Sequence, residues 1–105
     1  MEEKKIKKGD NWKITLLDSY EFEGETVEMI DLNGLFDLTG KDLCQIDEQM
    51  IAMGYTGQNP ELTKQYALLV VAKINNKPWE YGNNMKSRDV IRMKNMISSF
   101  FYTRI

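Results

Sequence analysis

The sequence contains no histidine and one cysteine, Cys44. Histidine is the most common general base and zinc ligand, and Ser-His and Cys-His mechanisms depend on it. One cysteine cannot form a disulfide within the chain, and without histidine it leaves almost no way to build a zinc site. We therefore expect no metal, no cofactor and no enzymatic activity, with Cys44 serving as a packing residue.

Long apolar segments and phosphate-binding glycine motifs are also missing. The longest apolar run extends from Tyr66 to Ala72, whereas a membrane-spanning helix needs about 20 residues. The first residues, MEEKKIKKGDN, lack the apolar stretch of a signal peptide. Asp31-Leu32-Asn33-Gly34 begins like a calcium loop but continues into apolar residues. These absences favour a cytosolic protein that neither binds calcium nor enters a membrane.

The formal net charge is −2, which argues against a general nucleic-acid-binding protein. The charge is unevenly distributed, because residues 18–48 carry −9 and residues 85–105 carry +4. Two solvated faces within one molecule would explain this asymmetry. A head-to-tail contact between copies, acidic region to basic region, would also explain it.

The length of 105 residues suits one domain. Residues 1–10 are expected to be a disordered, charged lead-in, followed by a single domain over 11–105. Apolar and polar residues alternate from Trp12 to Phe22, as in a strand with one buried face. Gly24 can supply the positive φ of a hairpin turn, and Thr26 to Leu32 is the return strand.

Three helices are predicted after the hairpin. Thr39 caps the first helix with Asp42 in a capping-box arrangement, and Gly54 ends it. Asn59 and Pro60 open the second helix, which should be the central one because Tyr66–Ala72 is apolar all round. Ser87 caps the third helix, and Asp89 lies in its first turn. The expected fold class is α+β, an N-terminal β-hairpin followed by three α-helices.

The third helix carries more apolar surface than one face of a small domain can hide. We therefore predict that part of it contacts a partner or a second copy, since methionine and aromatic side chains suit adaptable binding surfaces. The candidate partner-binding residues are Met93, Met96, Ile97, Phe100, Phe101 and Tyr102. For two of them, Ile97 and Phe100, a place in the core is favoured over a place in the interface.

Five segments, taken in order, are similar to motifs of one known family. They are Tyr20, Phe22 and Gly24; Ile30 to Leu43; Pro60, Glu61, Leu62, Tyr66 and Ala67; Lys77 and Pro78; and Asp89, Lys94, Asn95, Phe100 and Phe101. Together they cover about residues 12 to 102 and resemble the tail assembly chaperones of long-tailed bacteriophages and prophages of Gram-positive hosts. None of the segments contains a catalytic or ligand-binding motif, so the resemblance depends on their order and spacing.

This resemblance implies a chaperone without catalytic residues or cofactor, acting in the cytoplasm of the bacterial host. Its expected partner is the tape measure protein, which such chaperones keep soluble during tail assembly. Self-association and a longer frameshifted product are further expectations. Two alternatives stay open: a small structural or adaptor subunit of a phage tail, and a small nucleic-acid-binding regulator that uses the basic third helix.

Overall fold

The structure, a computed structural model, describes residues 9–102. Within these residues it contains a β-hairpin followed by three α-helices, which confirms the predicted α+β fold class. The strands are β1 (Lys13–Phe22) and β2 (Glu25–Asp31), and the helices are α1 (Gly40–Ala52), α2 (Lys64–Ile74) and α3 (Ser87–Tyr102). Short 3₁₀ turns lie at Asp10–Trp12, Asn33–Asp37 and Pro60–Leu62.

The ends of the predicted domain are only partly described. Of the predicted lead-in, residues 1–8 lie outside the described residues, as do 103–105 at the other end. Gly9 belongs to the fold, because its N–H donates to Asn33 Oδ1 over 2.7 Å. Its carbonyl accepts from Asn33 Nδ2. The domain therefore begins no later than Gly9, slightly earlier than expected.

The hairpin turn forms where the sequence predicts it. Glu23 and Gly24 both have positive φ, 51° and 83°, and they connect strands in the register Phe22↔Glu25. Positive φ at both central residues is the type I′ geometry, whose twist matches that of the flanking strands. Strand β1 begins one residue later than predicted and ends at Phe22 as predicted, whereas β2 begins and ends one residue earlier than predicted.

Strand β1 contains a large bulge that the alternation does not reveal. Its register changes from Thr15↔Met29 to Tyr20↔Val27, so residues 16–19 lie opposite a single residue of β2. Main-chain N–H groups in such a bulge need other acceptors. Leu17 N–H and Asp18 N–H donate to the two carboxylate oxygens of Asp89, over 2.9 and 3.1 Å. Asp89 thus joins the first turn of α3 to β1.

Helix α1 has the start and the end that were predicted. Thr39 Oγ1 accepts from Asp42 N–H, and an Asp42 carboxylate oxygen accepts from Thr39 N–H, which is the capping box. These hydrogen bonds lower the pKa of Asp42. At the other end Gly54 has φ 99°, and Tyr55 N–H donates to Met50 C=O over 3.0 Å. This is a Schellman ending.

The predicted start of α2 is wrong. Asn59 adopts a left-handed conformation without a side-chain cap, and Pro60 begins a separate 3₁₀ turn. The cap is Thr63, whose hydroxyl donates to Pro60 C=O over 2.7 Å and accepts from Tyr66 N–H over 3.1 Å. Because Thr63 is extended (φ −94°, ψ 158°), it ends the turn and begins the helix four residues later than expected. Similarly, Ser87 is the first residue of α3 and not its cap.

Helix α2 packs between α1 and α3 and forms the centre of the core, as predicted. Val70 and Val71 are completely buried at its middle. The buried residues of this helix are Tyr66, Ala67, Leu69, Val70, Val71 and Ala72. An all-round apolar segment at this position therefore sets the place of the other two helices.

The 3₁₀ turn at Asn33–Asp37 approaches α2 so closely that it needs glycine at position 34. A Cβ on Gly34 would lie 2.6 Å from Ile74 Cβ and 3.2 Å from Ile74 C=O. We predict that Gly34→Ala lowers the free energy of unfolding by about 1–3 kcal/mol, because the turn must move away from the helix. Urea denaturation measures this loss.

Gly40→Ala is the matched control for this substitution. Gly40 is the first residue of α1, and a Cβ there meets nothing within 4 Å. Alanine favours helix over glycine by about 0.5–1 kcal/mol, so this variant should be as stable as the parent or slightly more so. Equal stability of Gly34→Ala and Gly40→Ala would contradict the close approach.

Candidate protein-binding surface

The six candidate partner-binding residues separate into a buried group and a partly exposed group. Met93 and Ile97 are 0% and 1% exposed, so they belong to the core and offer no surface to a partner. Met96, Phe100 and Phe101 are partly buried, and Tyr102 is 59% exposed. The candidate surface is therefore confined to the last two turns of α3.

Aromatic rings continue from this end of α3 onto two 3₁₀ turns. Trp12, Phe36 and Phe100 contact one another edge to face, with centroid distances of 5.8, 5.3 and 5.0 Å. Phe100 also contacts Phe101 at 5.8 Å. Such edge-to-face pairs contribute about 0.5–1.5 kcal/mol beyond their burial. We call the partly exposed set Trp12, Phe36, Phe100, Phe101 and Tyr102 the terminal aromatic surface.

The terminal turn of α3 contacts both α2 and the 3₁₀ turn at Pro60–Leu62. Phe101 packs against Tyr66 of α2, with a centroid distance of 6.3 Å. Burial raises the pKa of Tyr66 to about 12, so this ring stays neutral. Tyr102 donates a hydrogen bond to a carboxylate oxygen of Glu61. Since this hydrogen bond needs the phenolic proton, it raises the pKa of Tyr102.

The opposite end of α3 is anchored by Asp89, the one buried charged residue among those described. Burial alone would raise the pKa of Asp89. The N–H groups of Leu17 and Asp18 and the Arg92 guanidinium, 2.8 Å away, outweigh burial and lower it. The carboxylate therefore stays ionised and holds β1, α3 and Arg92 together. This fixed start determines where the last turns of α3 lie.

The sequence reasoning missed Trp12 and Phe36 as members of this surface. The alternation places Trp12 on the same face as the buried residues of β1. The strand begins only at Lys13, however, and Trp12 lies in a 3₁₀ turn. Phe36 follows the buried Leu35 in another 3₁₀ turn. Neither residue lies near α3 in the sequence, so no local pattern could have grouped them with it.

Helices α2 and α3 are not connected as in a DNA-reading helix-turn-helix, and one basic residue of α3 is already engaged. Arg92 is held by Asp89 and also donates to Thr15 C=O over 3.3 Å. The connection between α2 and α3 spans residues 75–86, much longer than the three or four residues that join the two helices of that motif.

Two absences within residues 9–102 complete the description of the surface. Carboxylate and cysteine side chains do not form a group of three or more that could hold a metal ion. None of the α-helices in this part of the chain combines the length and the apolar character needed to cross a membrane.

Comparison of the chain with protein-family models, with curated proteins and with solved structures finds no match.

Proposed function

We propose that this protein is a non-catalytic tail assembly chaperone of a bacteriophage, which binds the tape measure protein and keeps it soluble in the cytoplasm of the bacterial host. Two features support the proposal. The ordered motifs over about residues 12 to 102 resemble that family. The terminal aromatic surface offers partly exposed rings on one end of the molecule.

The terminal aromatic surface carries the proposal because its chemistry suits an apolar client. Aromatic rings bury large areas with little loss of side-chain entropy, and they are enriched at protein interfaces. Trp12, Phe36 and Phe100 already support one another, so a client meets a preformed patch. Tyr102 adds an exposed ring whose hydroxyl has a partner in Glu61.

The structure also limits which α3 residues can hold a client. Met93 and Ile97 are enclosed, so in the proposed complex they position the surface without touching the client. Met96, at the edge of this region, is partly exposed and is the methionine we propose as a contact. The proposed client-binding set is therefore Trp12, Phe36, Met96, Phe100, Phe101 and Tyr102.

The proposal predicts that Tyr102→Ser reduces client solubilisation while the fold stays intact. We expect the soluble fraction of the longest helical protein encoded nearby to rise when it is co-expressed with the parent chain. With Tyr102→Ser this fraction should fall several-fold, because an exposed ring contributes on the order of 1–2 kcal/mol to an interface. The double variant Phe101→Ser/Tyr102→Ser should lose more binding, but also some stability, since Phe101 packs on Tyr66.

Leu17→Ser is the matched control. Leu17 is 52% exposed, close to the 59% of Tyr102, and its main-chain N–H is held by Asp89 at the opposite end of α3. Asp89 and Tyr102 lie near the two ends of this helix and are about 20 Å apart along its axis. If Leu17→Ser and Tyr102→Ser reduce solubilisation equally, the terminal aromatic surface is not the client site. If the client is equally soluble when this chain is absent, the chaperone function itself is rejected. If the chain is abundant in purified virions, the result would instead favour a structural subunit.

A further inference from the structure

A groove between α1 and α2 lies apart from the terminal aromatic surface and shares no residue with it. Its volume is about 270 Å³. Ile46 of α1 and Leu69 and Ala72 of α2 form an apolar floor, and each is 2% exposed. Gln45 and Gln49 lie along one side, and their amide groups can donate and accept hydrogen bonds. This volume lies at the lower limit of small-molecule pockets, about 300–1,000 Å³, and is large enough for an anchoring side chain of a polypeptide.

Trp79 forms one wall of the groove and is 45% exposed. The connection that carries it is well held, because Tyr81 is buried, packs on Phe22 at 5.1 Å, and accepts a hydrogen bond from Tyr20 through its carbonyl. Tyr81 N–H in turn donates to Pro78 C=O over 2.9 Å. Trp79 is thus an exposed aromatic ring on an ordered segment, which is the kind of residue that dominates protein interfaces.

The charge of the groove is opposite to that of the chain. The chain carries −2 overall, and α1 contains Asp42, Asp47 and Glu48, yet no acidic residue lines the groove. Two lysines do, Lys73 and Lys77. The acidic side chains of α1 therefore lie outside a groove whose charged lining is cationic.

One of the two lysines is left for a partner. Lys73 Nζ donates to Gln45 Oε1 over 3.0 Å and lies 3.8 Å from an Asp42 carboxylate oxygen. Lys77 Nζ lies 5.8 Å from the centroid of the Tyr81 ring, and among residues 9–102 it forms no ion pair. An incoming carboxylate would pair with Lys77 first and with Lys73 at its exposed side.

We propose that this groove is a second protein-binding site, and that its partner is an acidic amphipathic segment. An apolar side chain of the partner rests on Ile46, Leu69 and Ala72, with Trp79 packed against it. Glutamate or aspartate residues on either side of that anchor pair with Lys77 and Lys73. A basic segment is disfavoured by the same two lysines, so charge contributes to the selectivity of the site.

The test uses fluorescein-labelled synthetic peptides and the full-length chain. Three 15-residue peptides carry Glu at most positions and Leu, Phe or Trp at helical i, i+4 spacing; three further peptides have Lys in place of every Glu. We expect saturable anisotropy changes with at least one acidic peptide and none with the basic ones. Trp79→Ala should abolish binding, and Lys77→Glu should weaken it about three- to tenfold. In the Trp12→Phe variant, Trp79 is the sole tryptophan, and its emission should shift when an unlabelled Leu or Phe peptide binds.

Lys64→Glu is the control for Lys77→Glu, because it makes the same charge change at the first residue of α2, whereas Lys77 follows the last turn of that helix. It should leave binding unchanged. Tyr102→Ser should also leave it unchanged, which separates this site from the one proposed for the client. The proposal is overturned if all acidic peptides fail to saturate, if basic peptides bind equally well, or if Lys64→Glu weakens binding as much as Lys77→Glu.

Discussion

Asp89→Ala is expected to lower the free energy of unfolding by about 3 kcal/mol, the largest loss that we predict for a single polar residue. The substitution removes a fully buried carboxylate that accepts hydrogen bonds from Leu17 N–H, Asp18 N–H and Arg92. The bulge of β1 then has two N–H groups without their acceptor, and Arg92 loses its partner. The free energy of unfolding of a domain of this size is about 5–15 kcal/mol. The urea concentration at the midpoint of unfolding should therefore fall markedly.

Asp18→Ala is a matched control. Asp18 is exposed and its N–H group, which the substitution retains, makes the contact with Asp89. This variant should change the free energy of unfolding by less than about 0.5 kcal/mol. If both variants are equally stable, the carboxylate of Asp89 does not hold β1 to α3.

The pH dependence of Asp89→Asn gives a second measurement of the same contact. The folded state lowers the pKa of Asp89, so its ionised form stabilises the fold above the unfolded value of about 3.9. This contribution disappears as the pH falls through the folded pKa. The parent should therefore be more stable than Asp89→Asn at pH 7, and the difference should shrink below about pH 4. A difference independent of pH would contradict the lowered pKa.

Features that depend on neighbours in sequence could be predicted well. The turn at Glu23-Gly24 and the cap at Thr39 each need only a few adjacent residues, and both were found where expected. The prediction of the α2 cap was wrong because the sequence offers two candidate capping residues. Asn59 with Pro60 matches the usual pattern, but Thr63 can close one turn and open the next through its single hydroxyl.

Features that join distant segments could not be predicted in the same way. Asp89 in the first turn of α3 is consistent with a residue that interacts only with the helix dipole, and its bonds to Leu17 and Asp18 span more than 70 residues. The alternation of β1 gives no sign of the bulge, since Ile14 before it, Leu16 within it and Tyr20 after it are all buried.

Helical periodicity predicts which residues of α3 share a face, but it does not predict which of them are buried. It predicts that Met93 and Ile97 share a face, and both are buried. It predicts equally well that Phe100 follows on that face, yet Phe100 is partly exposed and packs with Trp12 and Phe36. The sequence could propose an apolar excess on α3, but the other rings that extend it come from segments about 60 or more residues away.

Ile97→Ala is expected to lower the free energy of unfolding by about 2–5 kcal/mol, whereas Tyr102→Ala should change it by less than about 1 kcal/mol. Ile97 is 1% exposed at the contact of α3 with the core, so truncation leaves a cavity. Tyr102 is 59% exposed, and its loss removes one hydrogen bond at the surface. Urea denaturation at pH 7 measures both variants.

Client binding should show the reverse order for these two variants, and this contrast separates core from surface within one helix. At a temperature where Ile97→Ala is still folded by circular dichroism, it should keep the client soluble, because its binding rings retain their places. Tyr102→Ala should stay folded and solubilise less client. If Ile97→Ala is as mild as Tyr102→Ala, α3 does not dock through the Met93–Ile97 face. The rings of Phe100 and Phe101 would then not lie beside Trp12, Phe36 and Tyr66, and the terminal aromatic surface would not exist as a preformed patch.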